Sequence, residues 1–197
     1  MKDLNSADYW DMTYRRYFRE GSLKGIYLER LLAWHTLLPL IPDRGSFLDV
    51  GCGTGGFLGF LKSHRPGLAL MGVDFAQSAI EMARLALPDA EFHQSSADEL
   101  PLSDGQVDVV YSGHLVEHLA LPIPALIEQS RVLRRGGRVV VHFPYDDAPY
   151  VEHVHDHLTY ATVGDWMEEA GFQFEGQLPP VIGSPAKEEG IIFGSKP

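Results

Sequence analysis

A single cysteine, Cys52, stands in the 197 residues, so no disulfide forms within the chain. Basic residues are also scarce. Sixteen Lys and Arg face 27 Asp and Glu, for a formal net charge of −11, and this disfavours a nucleic-acid backbone as the main partner, because phosphate binding needs a basic face. Apolar runs are short, and none approaches the ~20 residues of a membrane span. The opening residues are polar and aromatic rather than a basic stretch followed by an apolar core, so no signal peptide is read and the expected compartment is the cytoplasm. Internal repeats and low-complexity tracts are missing too. What remains is ordinary for a folded domain, with 45% apolar and 22% charged residues, and the length suits one domain spanning 1–197.

The most informative stretch runs from Phe47 to Gly56, FLDVGCGTGG. A short apolar run (Phe47, Leu48, Val50) ends in Gly51, Gly53, Gly55 and Gly56, after which Phe57, Leu58, Phe60 and Leu61 resume at helical spacing. A strand, a glycine turn and a helix hold a nucleotide-like ligand, since backbone without side chains can approach it closely. The spacing also satisfies G-x-G-x-x-G, so the glycines alone leave an NAD-dependent oxidoreductase open. Asp49 argues against that reading. A carboxylate two residues before the first glycine would repel a pyrophosphate and suits a ligand carrying positive charge, such as the ammonium of S-adenosylmethionine. Asp74 lies 21 residues after Gly53 and closes the next strand, where an acidic side chain can accept hydrogen bonds from both hydroxyls of a ribose.

Elsewhere the pattern alternates. Residues Ser6 to Phe18 read as an aromatic amphipathic helix, and Ile26 to Leu38 as a second helix stopped by Pro39 and Pro42. Together residues 1–40 form an expected helical cap or lid on a core spanning 45–197. Strands are expected at Leu68 to Val73, Glu91 to Gln94, Val107 to Tyr111 and Arg138 to Phe143, with helices at Ser78 to Leu87 and Pro124 to Leu133 and a turn at Gly136-Gly137. The near-continuous apolar strand at Val107 is the mark of a sheet covered on both faces. The tail departs from this rhythm, with a helix at Thr162 to Ala170, strands at Phe172 to Leu178 and Gly190 to Gly194, and a Pro- and Gly-rich connection over Pro179 to Glu189. Alternation of this kind predicts an α/β parallel sheet with helices on both sides.

The chain resembles the class I S-adenosylmethionine-dependent methyltransferases over almost its whole length. FLDVGCGTGGFL is similar to their first motif, MGVDFAQSAIEMAR to the second, SSADELPLSDGQVDVVYSGHLVEHL to the adenine-site segment and fourth strand, and RVLRRGGRVVVHFP to the motif around the fifth. The resemblance implies a Rossmann-like, doubly wound sheet of seven strands, mostly parallel with one antiparallel strand near the C-terminus. It implies S-adenosylmethionine as cofactor, with Asp49, Gly51 and Gly53 lining its methionine moiety, Asp74 its ribose, and Phe75 packing on its adenine. Many members carry Asp-Ala where this chain has Ser96-Ala97, so Ser96 offers the adenine amine a neutral acceptor in place of a charged one, while the Ala97 N–H serves the ring nitrogen. Ser112 and Gly113 follow the fourth strand on the cofactor side.

Among candidates for chemistry, His114 follows that same strand end and is the candidate general base. Glu117-His118 matches a pair common in the family and reads as a structural contact fixing the start of the next helix. In EHVHDHLTY, residues 152–160, an extended chain would place His153, His155 and His157 on one face. They are assigned to the acceptor pocket with Tyr9 and Trp10, and no metal ligand is assigned. After the fourth strand there is no Asn/Asp-Pro-Pro-aromatic run for a nucleobase amine, and no Pro-Cys nucleophile for cytosine chemistry. The expected function is therefore methyl transfer from S-adenosylmethionine to a small-molecule acceptor. A non-catalytic S-adenosylmethionine-binding protein is the alternative, and the oligomeric state is not legible.

Overall fold

The structure, a computed structural model, describes residues 5–21, 23–145, 153–182 and 188–197. Two helices lead, α1 (Ala7–Glu20) and α2 (Leu23–Leu37), followed by a 3-10 turn at Leu38–Leu40. Ser6 caps α1 by accepting the Tyr9 N–H, and Gly21 ends it in the left-handed conformation that glycine adopts without penalty. Alternation then begins with β1 (Arg44–Val50), α3 (Gly56–His64), β2 (Gly67–Asp74), α4 (Gln77–Ala86), β3 (Glu91–Gln94), β4 (Val107–Gly113), α5 (Pro122–Val132) and β5 (Leu133–Pro144). The chain closes with α6 (Tyr160–Glu169), β6 (Gln173–Ile182) and β7 (Glu188–Ser195).

The seven strands form one sheet in the order β3-β2-β1-β4-β5-β7-β6. Pairs among β1 to β5 are parallel. β7 runs antiparallel to both β5 and β6, so one strand is reversed, as expected from the sequence. The strand order reverses direction at β1 and β4, and ligands in open α/β sheets bind beyond the carboxyl ends of strands at such a point.

Both sheet faces are buried. Leu48, Val50, Val110, Val139 and Val141 pack on one side against Leu126 of α5 and Val163 and Met167 of α6. Phe47, Leu70, Val109 and Val140 pack on the other against Trp34 and Leu37 of α2, Phe57 and Leu61 of α3 and Ile80 of α4. Because strand residues alternate between faces, Asp49 falls on the same side as Phe47, in register with Tyr111.

Two stretches differ from expectation, each for a backbone reason. α5 runs directly into β5 at Leu133, and Gly136-Gly137 sits inside that strand rather than in a turn before it. Gly136 takes φ 67° and donates to the Lys196 carbonyl, while the facing register shifts between Val107 and Val109, the signature of a bulge. The expected connection from Pro179 starts later, since β6 continues through Pro179 and Pro180 to Ile182. β6 is an edge strand, and its pairing shifts register between Leu178 and Val181, where two prolines without N–H groups can be accommodated. The centre of that connection, 183–187, lies outside the described residues.

Candidate active site

Residues just past the carboxyl ends of β1 to β4 surround a cavity of about 330 Å³. Its wall includes Gly51 after β1, Asp74 and Phe75 after β2, Ser96 and Ala97 after β3, and His114 and Leu115 after β4. α1 closes it from above with Trp10 and Tyr14. This helix is tied down by Asp11, which accepts the Ser78 N–H at 2.7 Å at the start of α4.

The glycine turn is shaped by what crowds it. Gly51 (φ 77°) and Gly53 (φ 53°) both occupy the left-handed region. A Cβ on Gly53 would lie 2.8 Å from the Tyr14 hydroxyl, and one on Gly51 3.1 Å from Leu115. The turn is pinned to β2 by the Gly51 and Cys52 N–H groups, which both donate to the Val73 carbonyl, at 2.8 and 3.0 Å. Asp74 completes the clamp. Its Oδ2 accepts the Gly53 N–H at 2.8 Å and its Oδ1 the Ala76 N–H at 2.9 Å. Each oxygen keeps a further lone pair for a ligand hydroxyl.

Two carboxyls are buried together here. Asp49 is 3% exposed, and burial first, then the neighbouring Asp74 charge, pushes it up to about 8. Burial also lifts Asp74, to about 6, although the Ala76 and Gly53 N–H groups hold it down in part. A cation placed against these two carboxyls would favour their ionised forms and lower both.

Next to the cavity lies a cluster of imidazoles and carboxylates. His114 is one of two non-glycine residues at positive φ (53°) among the described residues, and its N–H donates to the His142 carbonyl at 2.8 Å. Its Nδ1 lies 3.3 Å from Glu117 Oε1 and its Nε2 3.4 Å from Glu189 Oε1. Burial and the Arg30 charge push the His114 imidazole down, but the two glutamates outweigh them and leave it above its ordinary value. Burial would raise Glu189, yet His114 and His142 hold it below the usual carboxylate range. Behind them, His142 Nε2 meets Glu189 Oε2 at 2.8 Å and its Nδ1 meets the Tyr111 hydroxyl at 2.9 Å.

Seven of the fifteen expected site residues converge on the cavity. Gly51, Asp74, Phe75, Ser96, Ala97, His114 and Trp10 line the cavity. Asp49, Gly53, Ser112, Gly113 and Tyr9 are not in its wall. Asp49 and Gly53 support it from behind as described, Ser112 is fully buried at the end of β4 with Gly113 beside it, and Tyr9 packs edge-on against Trp10. Ser96 donates its hydroxyl to Asp98 Oδ1, which leaves its oxygen as an acceptor. The three alternating histidines do not share a face. His153 stands 5.1 Å, ring to ring, from His118, whereas His155 packs on Trp166 at 5.1 Å and His157 is exposed at φ 57°. The segment bends because the Val154 and His155 N–H groups both donate to the Glu117 carbonyl.

Sequence reading overlooked Tyr14, Leu119 and Val154, which line the cavity, and His142 and Glu189, which lie behind it. Their signals were weak, because His142 sits inside a strand and Glu189 inside what read as a connection.

Residues 48–141 match the family model described as a methyltransferase domain. That segment, just under half of the chain, is similar to the methyltransferase family. The chain is 37% identical over 101 residues to a demethylmenaquinone methyltransferase of Lactococcus lactis, covering 48% of this chain and 40% of the relative. It is 30% identical over 156 residues to a trans-aconitate 2-methyltransferase of an Azoarcus species, covering 77% and 59%. This chain thus spans less than two thirds of the length of either relative. A solved Thermotoga maritima structure, described as a possible histamine N-methyltransferase, superposes with a TM-score of 0.75 at 22% identity, covering 93% of this chain and 98% of that one. That likeness shows the fold. No helix among the described residues is long and apolar enough to cross a membrane.

Proposed function

We propose that this chain transfers the methyl group of S-adenosylmethionine to a small acceptor in the cavity under α1. One observation carries the reading. The buried Asp74 carboxylate stands in the wall of a cavity shared with Gly51, Phe75, Ser96 and Ala97, at the strand ends where the sheet order reverses. In this reading Asp74 holds the ribose, Phe75 covers the adenine, and Ser96 and Ala97 meet its edge. Asp49, Gly51 and Gly53 face the methionine end, with Ser112 and Gly113 on the same side.

The methyl carbon then points toward Trp10, His114 and His118. A sulfonium methyl is already activated, so in-line positioning and exclusion of water supply most of the acceleration. α1 suits the role of lid within a single domain, since it is pinned to α4 at Asp11 and places Trp10 edge-on against His118 at 5.1 Å. His114, with both ring nitrogens directed at carboxylates, has neither N–H free for the acceptor, and it acts as a base only after giving up a proton. The two relatives are named for demethylmenaquinone and trans-aconitate, which supports a small acceptor. A cytoplasmic metabolite fits the expected compartment.

The test is turnover. The purified chain, S-adenosylmethionine and a panel of phenols, carboxylates, amines and sugars are incubated together and read by mass spectrometry. One class should be methylated with stoichiometric S-adenosylhomocysteine. Calorimetry that found NAD bound in preference to S-adenosylhomocysteine would overturn the reading.

A further inference from the structure

Glu117 is the most unusual side chain in the molecule. It is fully buried, and neither carboxylate oxygen accepts a hydrogen bond. A buried carboxylate whose neighbours approach without closing a well-formed hydrogen bond can take a cation into the remaining gap. Around it the fold gathers imidazoles from two segments, the turn after β4 and the stretch at His153. His114 Nδ1 and His118 Nε2 approach Glu117 Oε1 to 3.3 and 3.9 Å. His153 reaches the same place because the next two N–H groups, of Val154 and His155, are tied to the Glu117 carbonyl. One ligand atom from each of Glu117, His118 and His153 lies within 4.8 Å of the other two. Donors bound to one ion at metal–ligand distances near 2.1 Å stand about 3.0–3.5 Å apart, so slight contraction would bring all three onto a common centre.

We propose that Glu117, His118 and His153 form a site for a divalent first-row transition ion in the wall of the methyl-transfer cavity. Two imidazoles and one carboxylate form a donor set suited to zinc, iron or cobalt rather than to magnesium or calcium, and three protein ligands leave positions open. A second cluster, His114, His142 and Glu189, has comparable spacing. There, however, both His142 nitrogens are already engaged, by Tyr111 and by Glu189, so it supports its neighbour rather than competing for the ion. His118 and Val154 line the cavity, so an ion held by His118 stands where an acceptor would lie. The open positions select an acceptor with oxygen donors, such as a carboxylate or adjacent hydroxyls. That last step rests on the methyl-transfer reading, whereas the metal site does not.

The test uses the untagged full chain, stripped with a chelator, and cobalt(II) as a spectroscopic probe. One equivalent should bind with visible d–d bands of a four- or five-coordinate ion, and zinc should displace it. His153→Ala should weaken cobalt binding at least tenfold while S-adenosylhomocysteine affinity stays within twofold. Glu117→Gln should do the same, and because its buried site risks misfolding, the half-buried His153 carries the decision. Absence of cobalt binding at about 100 μM, or binding that survives both substitutions, would overturn the proposal. Cobalt binding without turnover of any acceptor would leave the metal site standing and count against the methyl-transfer reading alone.

Discussion

Replacing Asp49 by Asn should stabilise the empty protein and weaken its hold on S-adenosylmethionine, and the first effect should grow with pH. Asn has nearly the same shape but cannot ionise. In the folded chain burial pushes the Asp49 carboxyl from an ordinary 3.8 up to about 8. Below pH 4 folded and unfolded states both hold the proton, and Asp49 has no pH-linked cost. Between about pH 4 and pH 8 the unfolded chain releases the proton while the folded chain keeps it, so stability falls as pH rises, and above pH 8 the full cost is present. At 1.36 kcal/mol per pH unit, the cost at pH 7 is on the order of 4 kcal/mol, of which relaxation of the glycine turn recovers a part.

For a chain of this size each kcal/mol moves the melting temperature by roughly 2–4 °C. Melts of wild type and Asp49→Asn at pH 5 and pH 8 should show the variant gaining at least 4 °C at pH 8 and markedly less at pH 5. Calorimetry should show the opposite sign for the ligand. A cation placed beside Asp49 favours its ionised form, so wild-type affinity for S-adenosylmethionine should tighten as pH rises toward 8, and the variant should bind at least tenfold more weakly with a flatter pH profile. A variant that loses stability at both pH values would show that the carboxyl is not held protonated by burial. Unchanged affinity would place the ligand's positive charge away from Asp49.

Other positions give sharper single outcomes. Asp74→Ala removes the carboxylate that the proposed function sets against both ribose hydroxyls, at ~1.5–3 kcal/mol each, so S-adenosylhomocysteine affinity should fall at least tenfold by calorimetry. Gly53→Ala forces an L side chain to φ 53° with its Cβ 2.8 Å from the Tyr14 hydroxyl, at about 1–2 kcal/mol; melting should drop by a few degrees, and Tyr14→Phe should restore part of the loss. Ser96→Asp sets a second carboxylate against Asp98, to which Ser96 now donates, so cofactor affinity should not improve; a clear tightening in calorimetry would show that Ser96 faces the adenine amine unaided. His114→Ala should lower kcat in the methyl-transfer assay while S-adenosylhomocysteine affinity holds within a few-fold, and equal losses in both would move His114 into the cofactor site.

The half of the cavity built on the glycine turn was legible in the sequence because its geometry is local. Strand, glycine turn and helix follow one another within Phe47 to Leu61, and the clamp from Asp74 to the Gly53 N–H joins two strands that are adjacent in the sheet. A backbone that must avoid Tyr14 and Leu115 admits only glycine at two positions, and that requirement shows in the letters themselves. The boundaries of β5 and β6 were less legible. Gly136-Gly137 and Pro179-Pro180 look alike whether they make a turn or a bulge, and only the facing strand decides which. The half of the cavity beside His114 and His118 was least legible, since it is assembled from distant segments. Alternation suggested that His153, His155 and His157 act together. That pattern holds only in an extended chain, and the two N–H groups captured by the Glu117 carbonyl bend this one, so a single histidine of the three meets His118. Glu189 reaches His114 and His142 only because β7 is inserted antiparallel beside β5, which brings Pro144 and Glu189 into register. The chemistry at this end of the cavity is therefore a property of sheet order, and substitutions that shift β7 by one residue should disturb it as much as loss of His114 itself.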